Sequence, residues 1–202
     1  MAENSRRAKT STPRYTNVAI GLHWIIAMLI LGQIFGGLYM VRALPDGPDK
    51  FELYQLHKSF GITILLLSLL RLGWRIAHRP PALPSGMANW ERIGARASHA
   101  AFYGLMIGVP LGGWALVSAS PFASSAPTFL FGVIPWPHLP FFEGVADRDA
   151  LAERISGLHE FFALSTLGLL GLHIAAALKH HIVNRDHVLS AMLPIIRPRN
   201  SQ

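Results

Sequence analysis

His159-Glu-Phe-Phe-Ala-Leu-Ser-Thr-Leu-Gly-Leu-Leu-Gly-Leu-His173 decides how this chain is read. It opens an apolar run that continues to Leu178, and it carries a histidine at each end, fourteen residues apart. At about 1.5 Å rise and about 100° per residue, that spacing puts both imidazoles on one helical stripe, roughly 21 Å apart in depth. Ionisable side chains are costly in hydrocarbon, and where they occur inside a membrane they face a bundle interior and mark a functional site. Two histidines on one stripe at two depths predict two sites stacked across a bilayer. Each site then requires partners from the rest of the chain.

Composition supports a membrane setting. The 202 residues are 51% hydrophobic and 14% charged, against about 25% charged in soluble domains. The chain has no cysteine, which excludes disulfides, thiolate metal sites, iron–sulfur clusters and covalent haem attachment. The net charge of +7 does not indicate a nucleic-acid binder, because the basic residues flank apolar runs instead of forming one patch. The expected class is all-α: a polytopic membrane four-helix bundle, preceded by a basic segment over 1–15 and followed by a basic tail over 183–202. Within the 16–182 domain, spans are predicted at about 17–41, 53–76, 97–118 and 151–178, each long enough for roughly 30 Å of hydrocarbon. The run after Arg6-Arg7 is too long for a cleaved leader and contains His23, so it reads as an anchor. Pro110 is expected to bend the third span, and the Pro-, Phe- and Trp-rich connection after it to be interfacial.

Orientation follows from the basic residues. The N-terminus, the second loop with the end of its preceding span, and the tail hold thirteen of the 18 Lys and Arg. The opposite side holds Arg42, Lys50, Lys58, Arg148 and Arg154, with eight of the 11 acids. Positive residues stay inside, so both termini are expected to be cytoplasmic. That topology assigns depth. His23 enters from inside and His57 from outside; His159 is then outer and His173 inner. The histidines pair as His57 with His159 and His23 with His173.

Paired imidazoles in an apolar bundle suit the six-coordinate iron of a non-covalent b-type haem. Gly37 lies fourteen residues after His23, at the outer depth, where a porphyrin needs backbone without a side chain. Gly104, Gly108 and Gly112 recur every four residues, which suits either a porphyrin face or close helix packing. Arg71, fourteen residues after His57, falls at the inner level as a propionate partner or a snorkelling cation. His99 also begins an inward-entered span and competes with His23; it is assigned a quinone or water contact. His78, His180, His181 and His187 sit among charges and read as solvated, and His138 as interfacial. A zinc-peptidase reading of His159-Glu160 fails for want of the second histidine. A histidine-based metal transporter is the competing class, though intramembrane carboxylates are nearly absent.

Six motifs carry a family resemblance: Gly21-Leu-His23-Trp24; Leu56-His57-Lys58-Ser-Phe-Gly61; Arg71-Leu-Gly-Trp-Arg75; Ser98-His99-Ala-Ala-Phe-Tyr103; Leu158-His159-Glu160; and Gly171-Leu-His173-Ile-Ala-Ala-Ala-Leu-Lys-His180-His181. With them the chain resembles the prokaryotic cytochrome b561 family over about residues 14–194. The family is related to the cytochrome b subunits of nickel hydrogenases and formate dehydrogenases. The resemblance implies two haem b groups on His23, His57, His159 and His173, and electron exchange with ubiquinone or another quinone. One branch oxidises superoxide at the outer face, where Lys58 would steer an anion. The expected function is thus electron transfer between an external donor and membrane quinone, with Lys58, His99 and Arg71 as contact candidates. A subunit docking onto a larger dehydrogenase or hydrogenase, with a redox partner protein, is the alternative.

Overall fold

The computed structural model describes residues 14–193. The basic residues Arg6, Arg7, Lys9, Arg197 and Arg199 lie outside that range. Four long helices account for most of the described chain: α1 (Asn17–Arg42), α2 (Pro48–Ala77), α3 (Asn89–Ala119) and α4 (Arg148–Lys179). All four are long and apolar enough to cross a membrane. Each extends past the apolar span expected from sequence, because polar residues at its ends continue the helix beyond the hydrocarbon stretch.

Local chemistry sets the helix starts. Thr16 caps α1, its hydroxyl accepting from Ala19 N at 3.3 Å. Gly47 precedes α2, and Pro48 takes the first helical position, where its missing N–H costs nothing. Asp147 caps α4 through Ala150 N at 2.9 Å, with Asp149 in the first turn. α3 runs through Pro110 without ending there.

α1 packs on α2, α2 on α3 and α3 on α4, while α1 and α4 barely touch. The order is that of an up-and-down bundle with one slack seam. Little of the apolar surface is buried. Leu22, Ile26 and Met106 form a small core with Ile30, Leu67, Phe102 and Tyr103 against it, whereas Met28, Leu70, Phe161 and Leu172 are exposed. Apolar helices with apolar outer faces need lipid as solvent.

The connection between α3 and α4 is built, not loose. Thr128–Leu130 (β1) and Ile134–Trp136 (β2) pair antiparallel, Leu130 opposite Ile134. Phe131 and Gly132 turn the hairpin at φ 51° and 73°. The left-handed region is costly for phenylalanine. It is held there by Ser59, whose hydroxyl accepts from Phe131 N at 2.9 Å, and by an edge contact with Phe60. The hairpin therefore docks on α2, two residues beyond His57.

After α4, a π-helical turn (His180–Asn184) leads to the short α5 (Val188–Met192). Trp24 donates to Met192 O at 2.9 Å, tying α5 back under α1. His180, read from sequence as solvated, is instead buried, its Nδ1 2.6 Å from Asp186 Oδ2. Asp186, six residues on, pairs with it once the π turn folds the chain back. That pairing is invisible to helical spacing.

Candidate functional site

Helix directions alternate, so residues near the start of α2 and α4 share one end of the bundle with the hairpin. The opposite end carries residues 14 and 193; it is called here the near end, and the hairpin end the far end.

At the far end His57 and His159 face each other across the bundle, ring centroids 6.2 Å apart and planes inclined at 73°. Both line a cavity of about 280 Å³, with Gly37, Gly113, Lys58 and Trp136 also on its walls. Two glycines let the rings sit where they do. A Cβ on Gly37 would lie 3.2 Å from His57 Cε1, and one on Gly113 3.0 Å from His159 Cε1. Of the third-helix glycines with four-residue spacing, Gly104 and Gly108 have no neighbour within 4 Å of such a Cβ and Gly112 is only marginally close; Gly113, outside that pattern, makes the tight approach.

Hydrogen bonds fix the two rings. His159 Nδ1 lies 3.1 Å from Val109 O. A carbonyl only accepts, so Nδ1 carries the proton and Nε2 keeps its lone pair free. Gln33 of α1 donates to His57 O at 2.8 Å, bracing that turn of α2. Lys58 is half-buried and donates to Thr128 Oγ1 at 3.2 Å, and Trp136 Nε1 is buried with no acceptor among the described residues. Sequence reasoning missed Gln33, Gly113, Thr128 and Trp136. None lies in a motif, and only the folded hairpin brings the last two to the cavity.

At the near end the structure gathers three histidines. His23 lies 6.3 Å from His173, and His99 lies 6.1 Å from the same ring. The interplanar angles, 63° and 62°, are as close as the distances. Phe102 packs edge-on to His173 at 5.3 Å. Arg71 reaches this level on α2, its Nη1 donating to Ala19 O at 2.8 Å. His23 and His99 thus stand as geometric equals opposite His173.

The ring separations test whether one metal could sit between each pair. A metal–imidazole bond is about 2.0–2.1 Å, and a five-membered ring with bonds near 1.33 Å has a radius of about 1.1 Å. Two nitrogens bonded to one metal from opposite sides then place their ring centres roughly 6.3 Å apart. The 6.2 Å and 6.3 Å separations match that distance. No cluster of three or more His, Asp or Glu suited to a bare ion occurs among the described residues. At the far end two imidazoles, apolar walls and small residues beside the rings fit a haem better than a hydrated cation.

Comparison with known proteins agrees. The sequence matches the family described as prokaryotic cytochrome b561 over residues 14–194. It is 32% identical over 185 residues to cytochrome b561 homolog 2 of Escherichia coli K12, covering 91% of this chain and 94% of that one. Over 182 residues it is 29% identical to a probable superoxide oxidase CybB of Yersinia pestis, covering 90% and 96% of the two chains. Cytochrome b561 homolog 1 of the same Escherichia coli strain is 26% identical over 183 residues, covering 90% and 97%. With four apolar helices, facing imidazoles and a match over nearly its whole length, the chain belongs to the prokaryotic cytochrome b561 family and is a multi-pass inner-membrane cytochrome b of electron transfer.

Proposed function

We propose that the chain holds two b haems, one near each membrane face, and passes single electrons between a donor outside the cytoplasm and a quinone in the membrane. The observation that carries this reading is the repetition of one geometry: a facing imidazole pair at each end, at separations of 6.2 Å and 6.3 Å. His57 and His159 hold the outer group, and His23 and His173 the inner one. His23 is preferred to His99 on the family motif Gly21-Leu-His23-Trp24. The haem iron supplies the one-electron redox change. The protein's own work is ligation, orientation and exclusion of water.

The bias of Lys and Arg toward the near end supports cytoplasmic termini. Arg71 is then placed to meet a propionate of the inner group, and Lys58 to meet an anion arriving at the outer one. Superoxide is the donor we favour, because one relative is named a probable superoxide oxidase and Lys58 has no carboxylate partner among the described residues.

Haem type and ratio in detergent-purified protein test the reading. About two haem b per chain are expected. His57→Ala or His159→Ala should remove the outer haem only, His23→Ala or His173→Ala the inner only, and His99→Ala neither. Loss of the inner haem in His99→Ala, with retention in His23→Ala, would move the ligand to α3. Mixing the reduced and oxidised protein with ubiquinol, ubiquinone and superoxide then identifies donor and acceptor. Absence of haem b from protein made with ample haem would refute the proposal and revive a transporter. Co-purification of a dehydrogenase subunit, with no reaction alone, would make it a subunit.

A further inference from the structure

A second, small cavity of about 50 Å³ opens at the near end, between the first residues of α1, the last turns of α2 and Tyr103 of α3. Its charged lining is of one sign: Arg14, Arg71, Arg75 and Arg79, with His78 and no acidic residue among the described residues. None of these arginines makes an ion pair among the described residues. Guanidinium groups gathered without counter-charge repel one another, and an anion held between them relieves that repulsion.

Position narrows the anion. Arg71 and Arg75 are one four-residue step apart on α2, about 6 Å along the helix, and Arg79 follows just past its end, so the three run outward from the near-end histidines toward the membrane surface. Arg71 is engaged with Ala19 O, and Arg75 lies over the Tyr103 ring, 5.8 Å from its centroid. Arg79 is beyond the end of α2, beside Pro80 and Pro81, and Arg14 precedes α1. His23, His99 and His173 do not line the cavity, and its volume admits a compact tetrahedral anion. Trp74, stacked on His78 at 3.9 Å and donating to Thr16 Oγ1, forms one wall with Tyr15 nearby. Amphipathic aromatics of this kind belong at headgroup level. The start of α1 adds the positive end of its dipole.

We propose that this pocket is a specific site for the phosphate of an anionic phospholipid from the leaflet at the near end. Arginine forks match phosphate oxygens two at a time, and basic pockets between membrane helices are suited to anionic headgroups. The lipid seals the α1–α2–α3 junction above the near-end histidines. Arg71, the deepest of the four, is left to the inner group, while Arg14, Arg75 and Arg79 hold the phosphate, so the site does not depend on how many haems the chain carries.

The test is native mass spectrometry of the haem-loaded full chain, released from micelles doped with equal phosphatidylglycerol and phosphatidylcholine. The wild type should retain one phosphatidylglycerol, preferred by about tenfold. Arg75→Gln with Arg79→Gln should bring the two lipids toward equal retention with the haem ratio unchanged, and the corresponding double lysine variant should recover part of the preference. Arg79→Glu, outside the helix, carries the test should the double variant lose its haem. An unselective wild type, or a preference that survives both variants, would overturn the proposal. So would displacement of the lipid by millimolar inorganic phosphate, which would make the occupant a free anion. Loss of haem instead of lipid in Arg79→Glu would reassign the pocket to a propionate.

Discussion

Gly113→Ala separates a glycine kept for helix packing from one kept for the His159 ring. In a helix interior, alanine is ordinarily favoured over glycine by about 1 kcal/mol, so a neutral site would gain stability. At Gly113 the new Cβ would lie 3.0 Å from His159 Cε1 and 3.4 Å from Nδ1, so tight that the ring must give by a few tenths of an ångström. The ring cannot tilt freely, because Nδ1–H is held by Val109 O at 3.1 Å. Moving it gives up that hydrogen bond, about 1 kcal/mol, and forces an off-rotamer side chain, about 1 kcal/mol more. The haem-free ring can relax to another rotamer in the open cavity, so this cost falls on the ligating state, while the helix-propensity gain is common to both states and cancels from haem affinity. Outer-haem affinity should therefore fall by about 2 kcal/mol, roughly thirtyfold. Haem-to-protein ratios measured after dilution should drop toward one per chain in Gly113→Ala, with the inner-haem spectrum intact. Gly32→Ala, whose Cβ meets nothing within 4 Å, should retain full haem. Wild-type retention of the outer haem in Gly113→Ala would refute the assignment of His159 as its ligand.

Three further outcomes follow from the same geometry. Arg148 donates to Ser118 O at 2.7 Å and Ala119 O at 3.1 Å, capping the end of α3 from the start of α4; Arg148→Ala should cost about 2 kcal/mol, a thermal midpoint lower by roughly 4–8 °C. Burial, then the charges of Lys58 and Arg148, hold the His138 imidazole below its ordinary value. The unfolded chain therefore binds that proton more readily between the lowered value and about pH 6.5. Stability should decline as pH falls through that window and level off below it, and His138→Gln, followed by thermal melts, should flatten the slope; an unchanged slope would exclude His138. Lys58→Gln should slow reduction by superoxide by about threefold to tenfold at low ionic strength and much less in high salt; stopped-flow rates that ignore both the charge and the salt would remove Lys58 from the anion's path.

Much of the architecture is written in residue order. Four apolar runs with few charges can only be helices where no water is available to satisfy the backbone, and α1 to α4 appear where those runs lie. The fourteen-residue spacing of His159 and His173 likewise commits both to one stripe of α4, since helix geometry is local. The alternation of helix directions then sets which histidines share an end of the bundle. What could not be read is everything that depends on distance between elements. Helical spacing placed His99 at the near end but could not show it 6.1 Å from His173, as close as His23 stands. Gly113 adjoins His159 only because α3 and α4 pack at that height. Gln33 and the Ser59–Phe131 bond brace α2 from residues with no sequence signature. His180 looked solvated among charges, yet the π turn buries it against Asp186.

The sequence by itself determined the membrane bundle, its four long helices and which histidines share a stripe of α4, because hydrophobicity and helical pitch are properties of neighbouring residues. Only the tertiary structure decided how closely the rings approach, that His99 joins His173 beside His23, which glycine makes room for a ring, and that four arginines collect around one small cavity. Those depend on how helices cross and where a hairpin docks, and packing between distant segments is recorded in no single stretch of chain.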